Sequence, residues 1–258
     1  MKIATWNVNS LTARWPRVSE WLNANDVDIV LVQETKQTDA KFPFALLSEL
    51  GYESAHHGQG QWNGVAIFSK VGLADVERGL GDDAEARFIG ATCGPLRVYS
   101  CYVPNGRSLD NDHYQYKLRW LSDLRSHLGA RPTGQHVVVG GDFNVAPSDL
   151  DCYNPAAFVG ATHVSEPERA AIQELLATGL IDICRDQHPD DANFTWWDYR
   201  NGSFRRGWGL RIDLLLLDTA TAQAATSSYV DREARKGEKP SDHAPVVVDI
   251  DTNRLAEL

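Results

Sequence analysis

Five places in the sequence put chemically capable polar side chains directly beside short apolar runs. Asn7 and Asn9 follow Ile3 to Trp6; Gln33, Glu34 and Thr35 follow Ile29 to Val32; Asp142 and Asn144 follow Val137 to Gly141. Nearer the C-terminus, Asp213 begins the run Leu214 to Leu217, and Asp242 with His243 precedes Val246 to Ile250. Singly, each has an ordinary explanation, since Asn and Asp at strand ends are common turn formers and helix caps. Together they have another. Carboxylates, amides and one imidazole at strand termini are what a hard, oxygen-liganded cation site with a general base needs. Glu34 suits Mg²⁺, with Mn²⁺ as a substitute, because carboxylate and water oxygens match those ions; zinc fits less well.

For such side chains to converge, the apolar runs must lie side by side. Ile3 to Trp6, Ile29 to Val32, Val65 to Phe68, Phe88 to Thr92, Val98 to Val103, Val137 to Val139, Ile212 to Leu217 and Val246 to Ile250 read as buried strands. Arg17 to Asn23, Tyr114 to Leu128 and Glu166 to Ala177 repeat apolar residues at helical spacing. The last of these is signed at its start by Ser165 as cap, Pro167 in the first turn, and Glu166 and Glu168 where the helix dipole favours them. Strands interleaved with helices predict an α/β fold of sheets packed face to face with helices outside. No stretch reads as a linker, so the 258 residues are expected to form a single domain, 1–258.

Composition narrows the function classes. No apolar run approaches the roughly 20 residues that span a bilayer, and the N-terminus carries no secretion signal; a cytoplasmic protein with no membrane partner is expected. Cys93, Cys101, Cys152 and Cys184 lack the paired spacing of zinc ligands and read as reduced core thiols. A net charge of −10 argues against nonspecific attraction to a polyanion, but metal-binding carboxylates are neutralised in the working state, and a local basic face can coexist with an acidic remainder. Basic residues cluster in the second half, where Arg200, Arg205, Arg206 and Arg211 surround aromatic residues and Arg232, Arg235, Lys236 and Lys239 precede Asp242; for Arg232 and Lys236 a solvated charged surface is an equal alternative. Arg205 and Arg206, in a Gly-rich loop between two motifs, are candidates for phosphate contact.

Thr5 to Ser10, Gln33 to Lys36, Gly141 to Asn144, Arg211 to Leu214 and Pro240 to Pro245 resemble, in order, the five signatures of the exonuclease III and AP endonuclease family, within the endonuclease/exonuclease/phosphatase superfamily. Asn63 to Ala66, Tyr102 to Gly106 and Thr195 to Asp198 extend the likeness across the chain. The resemblance implies a DNase I-like, four-layered α/β sandwich of two mixed sheets flanked by helices. It implies a metal site drawn from Asn7, Glu34, Asp142, Asn144, Asp242 and His243, with Glu34 the main ligand. Asp142 would deprotonate the attacking water; Asn144 would orient this acid; Tyr102 would contact the scissile phosphate. His243, held protonated by Asp213, would stabilise the transition state. Arg87, Asn105 and Arg107 match positions near the DNA backbone, and Trp197 and Leu210 match the walls of a pocket for a baseless sugar.

The implied substrate is double-stranded DNA with abasic sites or 3′ ends, handled by a monomer in the bacterial cytoplasm near the nucleoid. Relatives often carry Asn where Gly207 and Trp208 stand, which leaves the balance between abasic incision and 3′-end removal open. Two rivals stay in view: a superfamily phosphodiesterase or phosphatase acting on phospholipid, inositol phosphate or RNA, and a non-catalytic DNA-binding protein on the same fold. The second is disfavoured, because a binding module has no use for so costly a cluster of like charges.

Overall fold

The computed structural model describes residues 1–258. Twelve strands run β1 (Lys2–Asn7), β2 (Ile29–Gln33), β3 (Glu53–His57), β4 (Val65–Ser69), β5 (Ala74–Arg78), β6 (Phe88–Cys93), β7 (Leu96–Tyr102), β8 (Val137–Asp142), β9 (Leu180–Asp182), β10 (Asp213–Asp218), β11 (Ala225–Val230) and β12 (Val246–Ile250). They form two six-stranded sheets, ordered β11-β12-β1-β2-β4-β3 and β5-β6-β7-β8-β10-β9. Each sheet has one parallel pair, β1 with β2 and β7 with β8, and its other pairs are antiparallel.

Alternation along the strands explains the layering, since successive side chains leave a strand on opposite faces. Ile3, Ile29, Leu31, Ile67, Val98, Val138, Leu215 and Val248 meet between the sheets. The residues between them turn outward: Ala4, Trp6, Val30 and Val32 pack on Val18, Trp21 and Leu22 of the helix Leu11–Asn25. On the other side, Val137, Val139, Leu214 and Leu216 pack on Trp120, Leu121 and Leu124 of the helix Asp112–Gly129 and Ile172 of the helix Glu166–Leu176. The result is a four-layered α/β sandwich, helix on sheet on sheet on helix. Both faces of the central strands are covered, which is why they read as unbroken apolar runs.

All eight strands expected from the sequence are present, and all are interior. The four that apolar runs did not announce, β3, β5, β9 and β11, are the four sheet edges. The three expected helices are also present, the first extended back to Leu11 through Pro16. Ser165 and Glu168 form the reciprocal cap that the sequence signals. All four cysteines are buried and free. No helix is long and apolar enough to cross a membrane.

The parallel pairs position the chemistry. Asn7 and Gln33 are register partners at the end of β1 and β2, with Glu34 next in the chain. Tyr102 and Asp142 are register partners at the end of β7 and β8, and Asp213 opposes Asp142 from β10. Packing the two sheets face to face brings both ends to one edge of the sandwich.

Candidate active site

Asp142 is the centre of the arrangement. Its Oδ2 accepts from Asn7 Nδ2 at 2.9 Å, its Oδ1 accepts from the Asn144 backbone N–H at 2.9 Å, and His243 Nε2 lies 3.8 Å from Oδ2. His243 Nδ1 is 2.8 Å from Asp213 Oδ2, which also accepts from Thr195 Oγ1 at 2.6 Å. Burial depresses the imidazole, but the Asp213 and Asp142 carboxylates outweigh it and push His243 up to about 10. Burial raises Asp142; His243 pulls it back while Asp213 and Glu34 push it further up, leaving it at about 7. At neutral pH the site therefore pairs an imidazolium donor with a carboxyl group poised to take a proton.

Glu34 stands beside this pair. Its Oε1 accepts from the same Asn7 amide at 2.8 Å, and its Oε2 is 2.7 Å from Lys36 Nζ. The nearest ligand atoms of Glu34, Asp142 and His243 all lie within 4.8 Å of one another. Two carboxylates so close repel unless a cation intervenes, so their oxygens fit a hard divalent ion. Three sequence-expected metal ligands are placed otherwise. His243 is not among them: its Nδ1 is bonded to Asp213 and its Nε2 lies within the group. Asn7 turns its nitrogen to the carboxylates and its oxygen to the Asn9 N–H, bridging the acids instead. The Asn144 amide is spent on Val103 O and Asn105 Nδ2. Asp242 sits outside the group, held by Asn9 Nδ2 at 2.9 Å and Trp196 Nε1 at 3.1 Å.

Burial and the charges of Glu34 and Asp142 push the Tyr102 phenol well above its ordinary range, so it remains a proton donor. Glu34 and Asn144 take φ of 53° and 52°, a left-handed conformation that costs roughly 1 to 2 kcal/mol in a non-glycine residue. The surroundings hold Asn144 there: its carbonyl accepts from Lys117 Nζ at 2.7 Å and from the His163 ring, and Lys117 is neutralised in turn by buried Glu168. Lys36, Lys117, Thr195 and His163 carry no role in the sequence reading, and Asn9 enters it only as one of the polar residues after the first apolar run. Asn9 and Thr195 lie inside the quoted motifs, whereas His163 has no sequence signal and arrives because Ala146 N–H bonds its carbonyl.

Residues 4–243 match the model of the endonuclease/exonuclease/phosphatase family. The chain belongs to this family. It is 32% identical to exodeoxyribonuclease III of Haemophilus influenzae over 95% of this chain and 98% of that protein. Among solved structures it is similar to a Neisseria 3′ phosphatase, NExo, bound to a product DNA hairpin (43% identity, TM-score 0.95, 97% of this chain and 99% of that one). It is also similar to an AP endonuclease from Archaeoglobus fulgidus (38% identity, TM-score 0.95, 97% and 99%). These likenesses put the chain on the exonuclease III and AP endonuclease branch of the endonuclease/exonuclease/phosphatase family, and it is a nuclease.

In this family member, several residues expected at the DNA lie elsewhere. Arg87 is buried, its Nε 2.5 Å from Glu85 and its guanidinium 4.8 Å from the Tyr102 ring centroid, so it supports Tyr102 from behind. Arg211 is buried between Asp151 and Asp182, with contacts of 2.5 and 2.7 Å. Trp197 and Leu210 are 0% and 1% exposed and have no surface to offer a sugar. In an extended segment neighbours face opposite ways, and the half-buried ring near the site is Trp196, which packs on Leu210 and Ile212 and bonds Asp242. Asn105, Arg107, Arg205 and Arg206 are exposed. Arg205 lines an open cavity of about 540 Å³ with Lys236, Arg235 and Pro240, next to the Ser241 to His243 motif. His56 is buried between Thr35 and Asp39 and stacked on Phe42.

Proposed function

We propose that this nuclease repairs DNA by hydrolysing the bond between phosphorus and a 3′ oxygen, removing nucleotides or blocking groups from 3′ ends and incising 5′ to abasic sites. The observation that carries the reading is Asp142, buried between Asn7, the Asn144 N–H and the imidazolium of His243, with Glu34 alongside. All three activities break the same P–O3′ bond and need the same groups.

Asp142 accepts the proton of a water molecule, whose oxygen attacks phosphorus as the 3′ oxygen leaves. The Asn144 N–H and the Asn7 amide fix that carboxylate, so no reorganisation is needed at the moment of attack. His243 donates to a non-bridging phosphate oxygen and offsets the charge of the pentavalent transition state, with Asp213 and Thr195 fixing the ring. Tyr102 donates to the same phosphate. Glu34 and Asp142 would hold Mg²⁺ or Mn²⁺, with Asp242 nearby, and the ion would neutralise phosphate charge. No covalent enzyme intermediate is formed. Duplex DNA would lie along Asn105, Arg107, Arg205 and Arg206, and a baseless sugar would meet Trp196.

The test is cleavage of end-labelled duplexes carrying an abasic analogue or a 3′ phosphate, with Mg²⁺ and with EDTA, by the native chain and by Asp142→Asn. Metal-dependent cleavage, reduced about 10²- to 10⁴-fold in the variant, is the expected result. Removal of 3′ groups with the abasic site ignored would retire the Trp196 pocket and keep the rest. Failure on all DNA, with release of phosphate from a phospholipid or inositol phosphate, would overturn the reading.

A further inference from the structure

Trp208 takes no part in the mechanism above. Gly207, at φ 70°, ends the short helix Ser203–Arg206 and turns the chain so that Trp208 lies against a second loop. There its ring stacks on Tyr153, with centroids 5.8 Å apart and planes at 17°. Tyr153 in turn meets Phe158 edge-on at 6.0 Å, and the Arg206 guanidinium lies 4.5 Å from the Trp208 ring centroid. Trp197, in the same segment, is sealed off, whereas Trp208 and Tyr153 are each 37% exposed and neighbouring Val159 is 84% exposed.

The ladder is tied to the catalytic residues by backbone. His243 bridges to Trp196, Trp196 to Leu210 and Leu210 to Cys152, with Tyr153 next in the chain. Three inter-strand spacings of roughly 4.8 Å each put the ladder about 14 Å from His243. Duplex DNA rises about 3.4 Å per nucleotide along its axis, so the ladder lies within a few nucleotides of the scissile phosphate. The occupant is identified by two chemistries present at once: flat π faces, on which any base can stack, and Arg205 and Arg206, which suit a phosphate backbone.

We propose that the partly exposed pair Trp208 and Tyr153, with Arg206 beside it, forms a stacking platform for an unpaired nucleobase of the substrate, within a few nucleotides of the scissile phosphate. The proposal rests on the DNA reading above. A paired base keeps its faces inside the duplex and gains nothing from the platform; a mismatched, frayed or looped-out base does. The platform therefore biases the enzyme toward damaged or unpaired ends without taking part in the chemistry.

The experiment places 2-aminopurine, paired or unpaired, at each of the first six positions from a 3′ phosphate. Its fluorescence is read on binding in EDTA, and KM and kcat in Mg²⁺. The native chain should quench the unpaired probe at one of these positions and not at the others, and show a lower KM for that substrate. Trp208→Ala should abolish the quenching and raise that KM about 5- to 150-fold, the equivalent of one stacked base, with kcat and the KM for fully paired ends unchanged. Trp208→Phe, which keeps a π face and the fold, should retain most of the effect, and Tyr153→Leu should lose part of it. Equal KM for native and Trp208→Ala on every substrate, in a native chain that cleaves DNA, would sink the platform alone. A native chain that neither binds nor cleaves any of these DNAs would overturn the DNA reading and the platform with it.

Discussion

Asp142 and His243 face each other inside the protein with their ordinary preferences altered, the acid pushed up to about 7 and the imidazole up to about 10. Asp213 is the largest of the charges that hold the proton on His243 against burial, ahead of Asp142 and Asp242. In Asp213→Asn the imidazole pKa should fall, so the donor form is lost at lower pH. The native enzyme should keep its activity on the alkaline side up to about pH 10, whereas kcat of the variant should decline from a lower pH, which a pH–rate profile at saturating metal will show. The acid limb, set by Asp142, should lie at or below about pH 7 and move further down when the cation is bound, because positive charge favours the carboxylate. The acids and His243 were legible in the sequence because each adjoins an apolar run that must be a strand. Their supports were not: Thr195 reaches Asp213, and His163 reaches Asn144, through irregular loops without periodicity. For the same reason the resemblance pointed to Trp197 as the pocket wall, whereas the half-buried ring near the site is Trp196.

Elements were legible in proportion to how completely they are covered. Interior strands must be apolar on both faces and announce themselves; an edge strand such as β5, with the sequence ADVER, is wet on one side and reads like a loop. Charged residues in interior positions mislead in the opposite direction. Arg211 reads as part of a basic surface, yet it fastens the start of β10 to Asp182 at the end of β9 and to Asp151 in the loop after β8. Removing one partner of a buried ion pair leaves the others uncompensated and typically costs about 3 to 5 kcal/mol. Arg211→Met should accordingly lower the unfolding free energy by about that amount in a denaturant titration, and KM for DNA in the variant that remains folded should be nearly unchanged. A large rise in KM with native stability would instead return Arg211 to the DNA surface.

The whole molecule carries a charge of −10 yet is expected to bind a polyanion, which requires its positive groups to be concentrated where the DNA lies. Arg205→Ala with Arg206→Ala should weaken binding of all duplexes alike and reduce the slope of log affinity against log salt by about 2, close to one for each lost phosphate contact. The melting temperature should be unaffected, because both side chains are exposed. An unchanged salt slope would show that these arginines do not meet phosphate.

Strand β1 lies between β2 and β12, and the Met1 amino group donates to the Ile250 carbonyl at 2.7 Å. During synthesis one neighbour of β1 is available after some thirty residues, while the other arrives only with Val246 to Ile250. At roughly 5 to 20 residues per second this is a wait on the order of ten to forty seconds, through which one edge of the first-made strand has no partner. Asp242 and His243 come just before β12, so a ribosome-bound fragment that already displays Glu34 and Asp142 still lacks its imidazole. On the proposed mechanism the nascent chain should be inert as a nuclease until the closing strand is in place.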